Sequence, residues 1–75
     1  MIREAIVFTD CRVSIQNSEV HYCDEHTAEI AIIEKGTDKW LTQTFDPDAG
    51  DDVLAHCDID KICEVLKWAE KYRKA

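Results

Sequence analysis

The sequence predicts an α+β domain: an antiparallel three- to four-stranded meander packed against one C-terminal amphipathic helix. Three observations carry this. Apolar and polar residues alternate at a period of two through the first part of the chain, the spacing of a half-buried strand. After Asp58 the apolar residues recur at steps of three and four, the spacing of an amphipathic helix. A sheet with one apolar face and a helix with one apolar stripe must then cover each other. The chain's 75 residues make one domain, read as a β-meander over 1–45, an acidic connecting loop over 46–57 and a helix over 58–74.

The elements follow in order. Ala5, Ile6, Val7 and Phe8 form a short β-prone run that Asp10 interrupts. Cys11, Val13 and Ile15 then alternate with Arg12, Ser14 and Gln16. These stretches make either one long bent strand or two short ones. Asn17 and Ser18 signal a turn; Val20 and Tyr22 restart the alternation, and Asp24 and Glu25 mark a break or bulge. From Thr27 to Glu34 a strand places Ala28, Ile30 and Ile32 on one face and Glu29, Ala31 and Ile33 on the other. The segment from Glu34 to Lys39, which contains Gly36, is a hairpin connection. Residues 40–45 are the return strand, with Leu41 and Phe45 on one face and Trp40, Thr42 and Thr44 on the other. Val53, Leu54, Ala55 and His56 suit a helical turn bridging sheet and helix. In the helix, Ile59, Ile62, Cys63, Leu66 and Ala69 form the stripe, which Val65, Trp68 and Tyr72 widen. Asp58 or Asp60 caps its start by accepting a backbone N–H. Lys67, Lys71, Arg73 and Lys74 stand near its end, where cations complement the helix dipole.

Size and charge restrict function. So short a chain buries only about 60% of the surface its unfolded form exposes, and a deep substrate cavity would remove side chains the core needs. We expect no enzyme and no cofactor. Sixteen acids against nine bases give a formal charge of −7, which repels phosphate backbones and anionic lipid. Direct nucleic-acid and membrane binding are therefore not expected. No apolar run approaches the ~20 residues of a membrane span. Near the N-terminus, Arg3 and Glu4 flank a run too short for a signal segment. The expected location is the cytoplasm, with Cys11, Cys23, Cys57 and Cys63 reduced. Cys11, Cys23 and Cys63 lie in apolar patterns, where cysteine behaves as a small hydrophobe.

The charge is not spread evenly. Between Asp46 and Asp60 there are six aspartates and no lysine or arginine, so this segment holds −6 of the chain's −7. Turn geometry and helix capping need two or three of them. The remainder repel one another within a Debye length of ~8–10 Å, a cost that an external cationic surface would relieve. A calcium loop of the EF-hand kind fits poorly. Counted from Asp46, Asp48 fills the third position, but Gly50, Asp51 and Cys57 stand at the fifth, sixth and twelfth, where an oxygen ligand, glycine and glutamate belong.

Histidine and cysteine offer a second arrangement. Cys23 and His26 have ligand-like spacing, and His56 or Cys57 could complete a tetrahedral zinc site. His21 stands beside them in sequence. A Cys–His nucleophile is disfavoured, because the aspartates around Cys57 raise its pKa and a reactive thiolate needs the opposite. Trp40 falls on the face opposite Leu41 and Phe45 and joins Ile33 in an exposed apolar patch of the kind that marks protein contacts.

In size and charge the chain resembles the small acidic inhibitors that phages encode against bacterial defence systems, such as anti-CRISPR proteins. Carboxylates spaced along a rigid surface can imitate phosphates and take bidentate arginine contacts, so the acidic segment reads as a nucleic-acid mimic. The sequence thus points first to a non-enzymatic binding protein docking on a basic groove of a nucleic-acid-handling complex. Asp46, Asp48, Asp51, Asp52, Asp58 and Asp60 supply the charge and Trp40 an apolar anchor. A zinc-stabilised structural or regulatory module built on Cys23, His26, His56 and Cys57 is the first alternative. A homo-oligomeric assembly subunit, in its simplest form a homodimer through the sheet face or edge, is the second.

Overall fold

The computed structural model describes residues 2–17 and 27–74. The expectations for 18–26, among them the turn at Ser18, the resumed alternation and the positions of His21, Cys23 and His26, lie outside the described residues. The described chain forms a four-stranded antiparallel sheet of order β1-β2-β3-β4 with a C-terminal helix: β1 (Ile2–Val7), β2 (Cys11–Asn17), β3 (Ala28–Glu34), a short α1 (Thr42–Phe45), β4 (Leu54–Cys57) and α2 (Ile59–Lys71). This is the α+β meander packed on a helix that the two hydrophobic periods predict.

Asp10 interrupts a hairpin rather than bending a strand. Thr9 and Asp10 form a two-residue connection, and the Phe8 N–H donates to the Cys11 carbonyl at 2.8 Å. From there β1 and β2 pair without a break, from Val7 opposite Arg12 to Ile2 opposite Asn17. β2 and β3 pair as regularly, Cys11 opposite Glu34 and Val13 opposite Ile32. The Asn17 side-chain amide donates to the Thr27 carbonyl at 2.6 Å, closing the far end of this pair.

The alternation decides which sheet face is covered. Cys11 and Val13 of β2 and Ala28, Ile30 and Ile32 of β3 are buried in one cluster with Val65 and Ala69 of α2. Fully burying a Val- or Ile-sized side chain contributes about 1.5–3 kcal/mol, so this face carries most of the fold's stability. Cys11 and Cys57 are buried small hydrophobes. The Cys11 thiol donates to the Ala69 carbonyl at 3.5 Å, tying sheet to helix.

The return strand over 40–45 is not formed. Trp40 makes one antiparallel bridge to Ile33, and the ladder then stops. The Leu41 N–H donates to the Ile32 carbonyl at 2.7 Å, and the Ile32 N–H donates to Thr42 Oγ1 at 3.1 Å. A buried hydroxyl thus replaces the next strand residue, and the chain turns helical as the Thr44 and Phe45 N–H groups both donate to the Leu41 carbonyl. The fourth strand is instead β4, inside the segment read as connecting loop and helical turn. Ala28 pairs with Cys57 and Ile30 with Leu54, a register shift of one extra residue on β4. That bulge lets Leu54 and Cys57, three apart, share the buried face, and His56 takes a positive φ of 52° to make it.

The helix stripe is also narrower at its start than its period suggests. Val65 and Ala69 are buried, with Ile62, Leu66, Trp68 and Tyr72 packed against the core. Ile59 is 74% exposed and Cys63 is exposed. They lie one turn apart on the side of α2 away from the sheet. Phe45 and Trp68 meet edge to face at 5.7 Å, and Trp68 stacks on Tyr72 at 5.2 Å. The end of α2 is fastened to both hairpin turns. The Tyr72 hydroxyl donates to the Glu34 carboxylate, the Lys74 N–H donates to Asp10 Oδ2 at 3.1 Å, and Lys74 Nζ donates to the Lys35 carbonyl at 3.0 Å. Arg73 Nη1 donates to the Glu70 and Tyr72 carbonyls, the complement to the helix dipole expected of the terminal cations.

Candidate acidic docking surface

The aspartates lie on an excursion from one edge of the sheet. The chain leaves β3 at Trp40, opposite Ile33, and returns at Leu54, opposite Ile30. These anchor points are about 10 Å apart along β3 at ~3.3 Å per residue. Between them run α1 and the loop carrying Asp46, Asp48, Asp51 and Asp52; Asp58 and Asp60 follow as β4 gives way to α2. Trp40 and the acidic segment are therefore brought to the same edge.

Half of the six carboxylates shape the backbone. Asp46 Oδ1 accepts the Asp48 N–H at 3.0 Å, and Asp51 Oδ1 accepts the Asp52 N–H at 2.7 Å. Asp58 Oδ1 accepts the Lys61 N–H at 2.9 Å. Asp58 is thus the N-cap of α2, while Asp60 sits in its first turn. Gly50, at φ +73°, takes the left-handed turn between the paired acids. Asp46 is half-buried; the other five are exposed. Among the described residues none of the six forms an ion pair, the salt bridges being Arg12 with Asp38 at 3.3 Å and Lys61 with Glu64 at 3.2 Å.

An open hollow of about 540 Å³ lies within this surface. Asp46, Asp51 and Asp58 line it together with Val53, Leu54, His56 and Cys57. Lys61 is the lysine on its wall, but Nζ is turned to Glu64 and lies 5.9 Å from the Phe45 ring centroid. The lining of the hollow thus combines three carboxylates with apolar side chains, a mixture suited to a cation carried on an aliphatic or planar stem. Beside it, Ile59 projects into solvent between Asp58 and Asp60. Trp40 is 47% exposed, while Leu41 is buried and Phe45 packs on the core; Thr42, expected on the Trp40 face, is fully buried instead, because the chain turns helical there. The helical period sets Ile59 in the buried stripe and gives no sign of Lys61; the structure exposes Ile59 and puts Lys61 on the hollow. The signal for Ile59 was its position one residue after the cap, where the helix begins before the sheet can cover it.

His56 and Cys57 are neighbours in different environments. His56 is exposed and Cys57 is 3% exposed. Cys57 donates to the Leu54 carbonyl at 3.5 Å. Its thiol is pushed up to about 11, first by burial; Lys61 opposes the shift and Asp58 adds to it. The expected direction holds, but burial outweighs the acidic neighbour. A thiol so protonated is a poor nucleophile and a reluctant metal ligand. No three His, Cys, Asp or Glu side chains are grouped to hold a metal among the described residues; Cys23 and His26 of the zinc arrangement are not among these. Among the described residues, no helix is long and apolar enough to cross a membrane.

Comparison of the chain with models of protein families, with curated proteins and with solved structures finds no match.

Proposed function

We propose that this is a non-enzymatic binding protein whose acidic excursion docks on a basic groove of a nucleic-acid-handling protein complex, occupying it as a nucleic-acid mimic. The observation that carries this reading is the unneutralised charge: six aspartates on one edge of the sheet without an internal ion pair among the described residues. Self-repulsion of this kind costs the folded state stability, and a partner's arginines and lysines would offset it. Exposed carboxylates at Asp48, Asp52 and Asp60 can each take a charge-assisted hydrogen bond from a guanidinium, two-pronged where geometry allows. The hollow between Asp46, Asp51 and Asp58 admits one basic side chain, and Ile59 and Trp40 provide the apolar contact that carboxylates lack. Inhibition of the phage anti-defence, anti-CRISPR type is the biological role this chemistry suits, exercised in the cytoplasm.

Titration of isotope-labelled protein with an arginine-rich peptide tests the surface directly. Amide signals of Asp46 to Lys61 shift in a salt-sensitive way on this reading, with β1 and the hairpin at Gly36 unmoved. Shifts spread evenly over the molecule, or none at low salt, would end the proposal.

A further inference from the structure

The two edges of the sheet are not alike, and the contrast leads beyond the acidic surface. We infer that β1 is a self-pairing edge, through which two copies of this chain join antiparallel into one continuous sheet.

The first hairpin sets which way the β1 backbone groups point. Phe8 and Cys11 are a hydrogen-bonded pair. Hydrogen-bonded and non-bonded pairs alternate along an antiparallel ladder, so with the observed register Ile6, Glu4 and Ile2 bond inward to β2. The N–H and C=O groups of Arg3, Ala5 and Val7 therefore point away from the sheet. β1 is the terminal strand, and among the described residues nothing pairs with its outer side. Sheet edges are normally guarded by proline, lysine, a bulge or shortness. β1 carries two charges, Arg3 and Glu4, but no proline, lysine or bulge: it pairs with β2 without a register break, and its C-terminal half leaves Ala5, Ile6 and Val7 exposed, Val7 at 62%. The opposite edge, β4, is guarded in several ways. It has four residues, a bulge, a left-handed backbone at His56, and aspartates on either side.

Charge and symmetry select a second copy as the occupant. A two-fold axis perpendicular to the sheet at Ala5 keeps the faces aligned. It sets Ala5 against its own copy and Arg3 against Val7, so that every outward group of the three residues finds a partner. Shifting this register by one step toward the N-terminus would oppose Glu4 to itself, a like-charge cross-strand pair. Joining through β1 also puts the two acidic edges at opposite ends of the combined sheet, about 34 Å apart at ~4.8 Å per strand. That is several Debye lengths, whereas pairing through β4 would press the acidic segments together.

Sedimentation of the full chain with reductant, from micromolar to millimolar, tests this together with amide exchange. We expect dimer to grow with concentration, and to grow further with added salt as repulsion between two acidic chains is screened. The salt response is opposite in sign to that of the acidic surface with a basic partner, so failure of either proposal is distinguishable from failure of the other. In the dimer the amides of Arg3, Ala5 and Val7 should exchange about tenfold or more slower than on dilution, with Glu4 and Ile6 little changed. Ala5→Pro removes an outward donor, a position where an edge strand tolerates proline, and should leave a folded monomer. Should A5P unfold, Val7→Lys, at an exposed side chain, serves the same purpose. A wild-type monomer at all concentrations, or a dimer that V7K and folded A5P leave intact, overturns the inference.

Discussion

Thr42 shows how one side chain ends a strand. Among the described residues it is the buried polar one, and its hydroxyl accepts the Ile32 N–H where a backbone carbonyl would otherwise stand. Thr42→Val keeps the shape and leaves that N–H unpaired. The expected loss is about 1–3 kcal/mol, read by denaturant unfolding, while Thr42→Ser retains most of the stability. The Tyr72–Glu34 hydrogen bond gives a second prediction. It holds the Glu34 carboxyl below its ordinary value of 4.5, with Thr37 adding to the effect. It also pushes Tyr72 from 10.0 up to about 12. A depressed acid contributes stability that is present above its unfolded pKa and lost as pH falls through the folded one. A raised tyrosine contributes stability present below its unfolded pKa and lost as pH rises through the folded one. The advantage of wild type over Tyr72→Phe should therefore be flat at neutral pH. It should shrink below pH 4.5 and again from pH 10 to about 12. An advantage that persists unchanged at both extremes would mean the bond is not made in solution. Alternation sets Thr42 on one face with Trp40; it is buried instead, because its hydroxyl takes the Ile32 N–H and ends the ladder, which a period of two does not encode.

At the scale of elements, period gave the strands and the helix wherever the backbone was regular. β2, β3 and α2 were legible because their buried residues fall at steps of two or of three and four. β4 was not, because its bulge sets Leu54 and Cys57 three apart, the spacing of a helical turn. The cost of that bulge falls on His56, whose left-handed backbone disfavours a side chain by about 1–2 kcal/mol. His56→Gly should be at least as stable as wild type, and His56→Val should lose about 1–2 kcal/mol because a β-branched residue tolerates this region worst. Thermal unfolding of the two variants checks this; equal stability would mean that the left-handed turn at 56 is not held in solution. The start of α2 misled for a related reason. Ile59 continues the helical pattern, but it lies in the first turn, on the side away from the sheet, and a pattern cannot report where its covering layer stops.

For the whole molecule, the concentration of charge was fully legible, since it is a matter of counting. Its placement was not. Only the excursion between Ile33 and Ile30 of β3 brings Trp40 and the aspartates to one edge, and only the finished sheet order sets β1 at the other. The molecule thus has one edge that its own charge keeps from a second copy and one, β1, that no strand covers among the described residues. The aspartates separate by the work they do internally. Asp46, Asp51 and Asp58 hold local backbone, so replacing them would confuse folding with binding. Asp48, Asp52 and Asp60 accept no hydrogen bond among the described residues, which makes them the clean probe. The most direct measurement is affinity capture from lysate with wild type beside the Asp48→Asn, Asp52→Asn, Asp60→Asn triple variant, both verified as folded, followed by elution with rising salt or with added DNA and RNA. The account predicts that wild type retains nucleic-acid-binding proteins, that salt and free nucleic acid release them, and that the triple variant retains about tenfold less, a loss of roughly 1.4 kcal/mol. Equal capture by the two proteins, insensitive to salt and to competing nucleic acid, would contradict it.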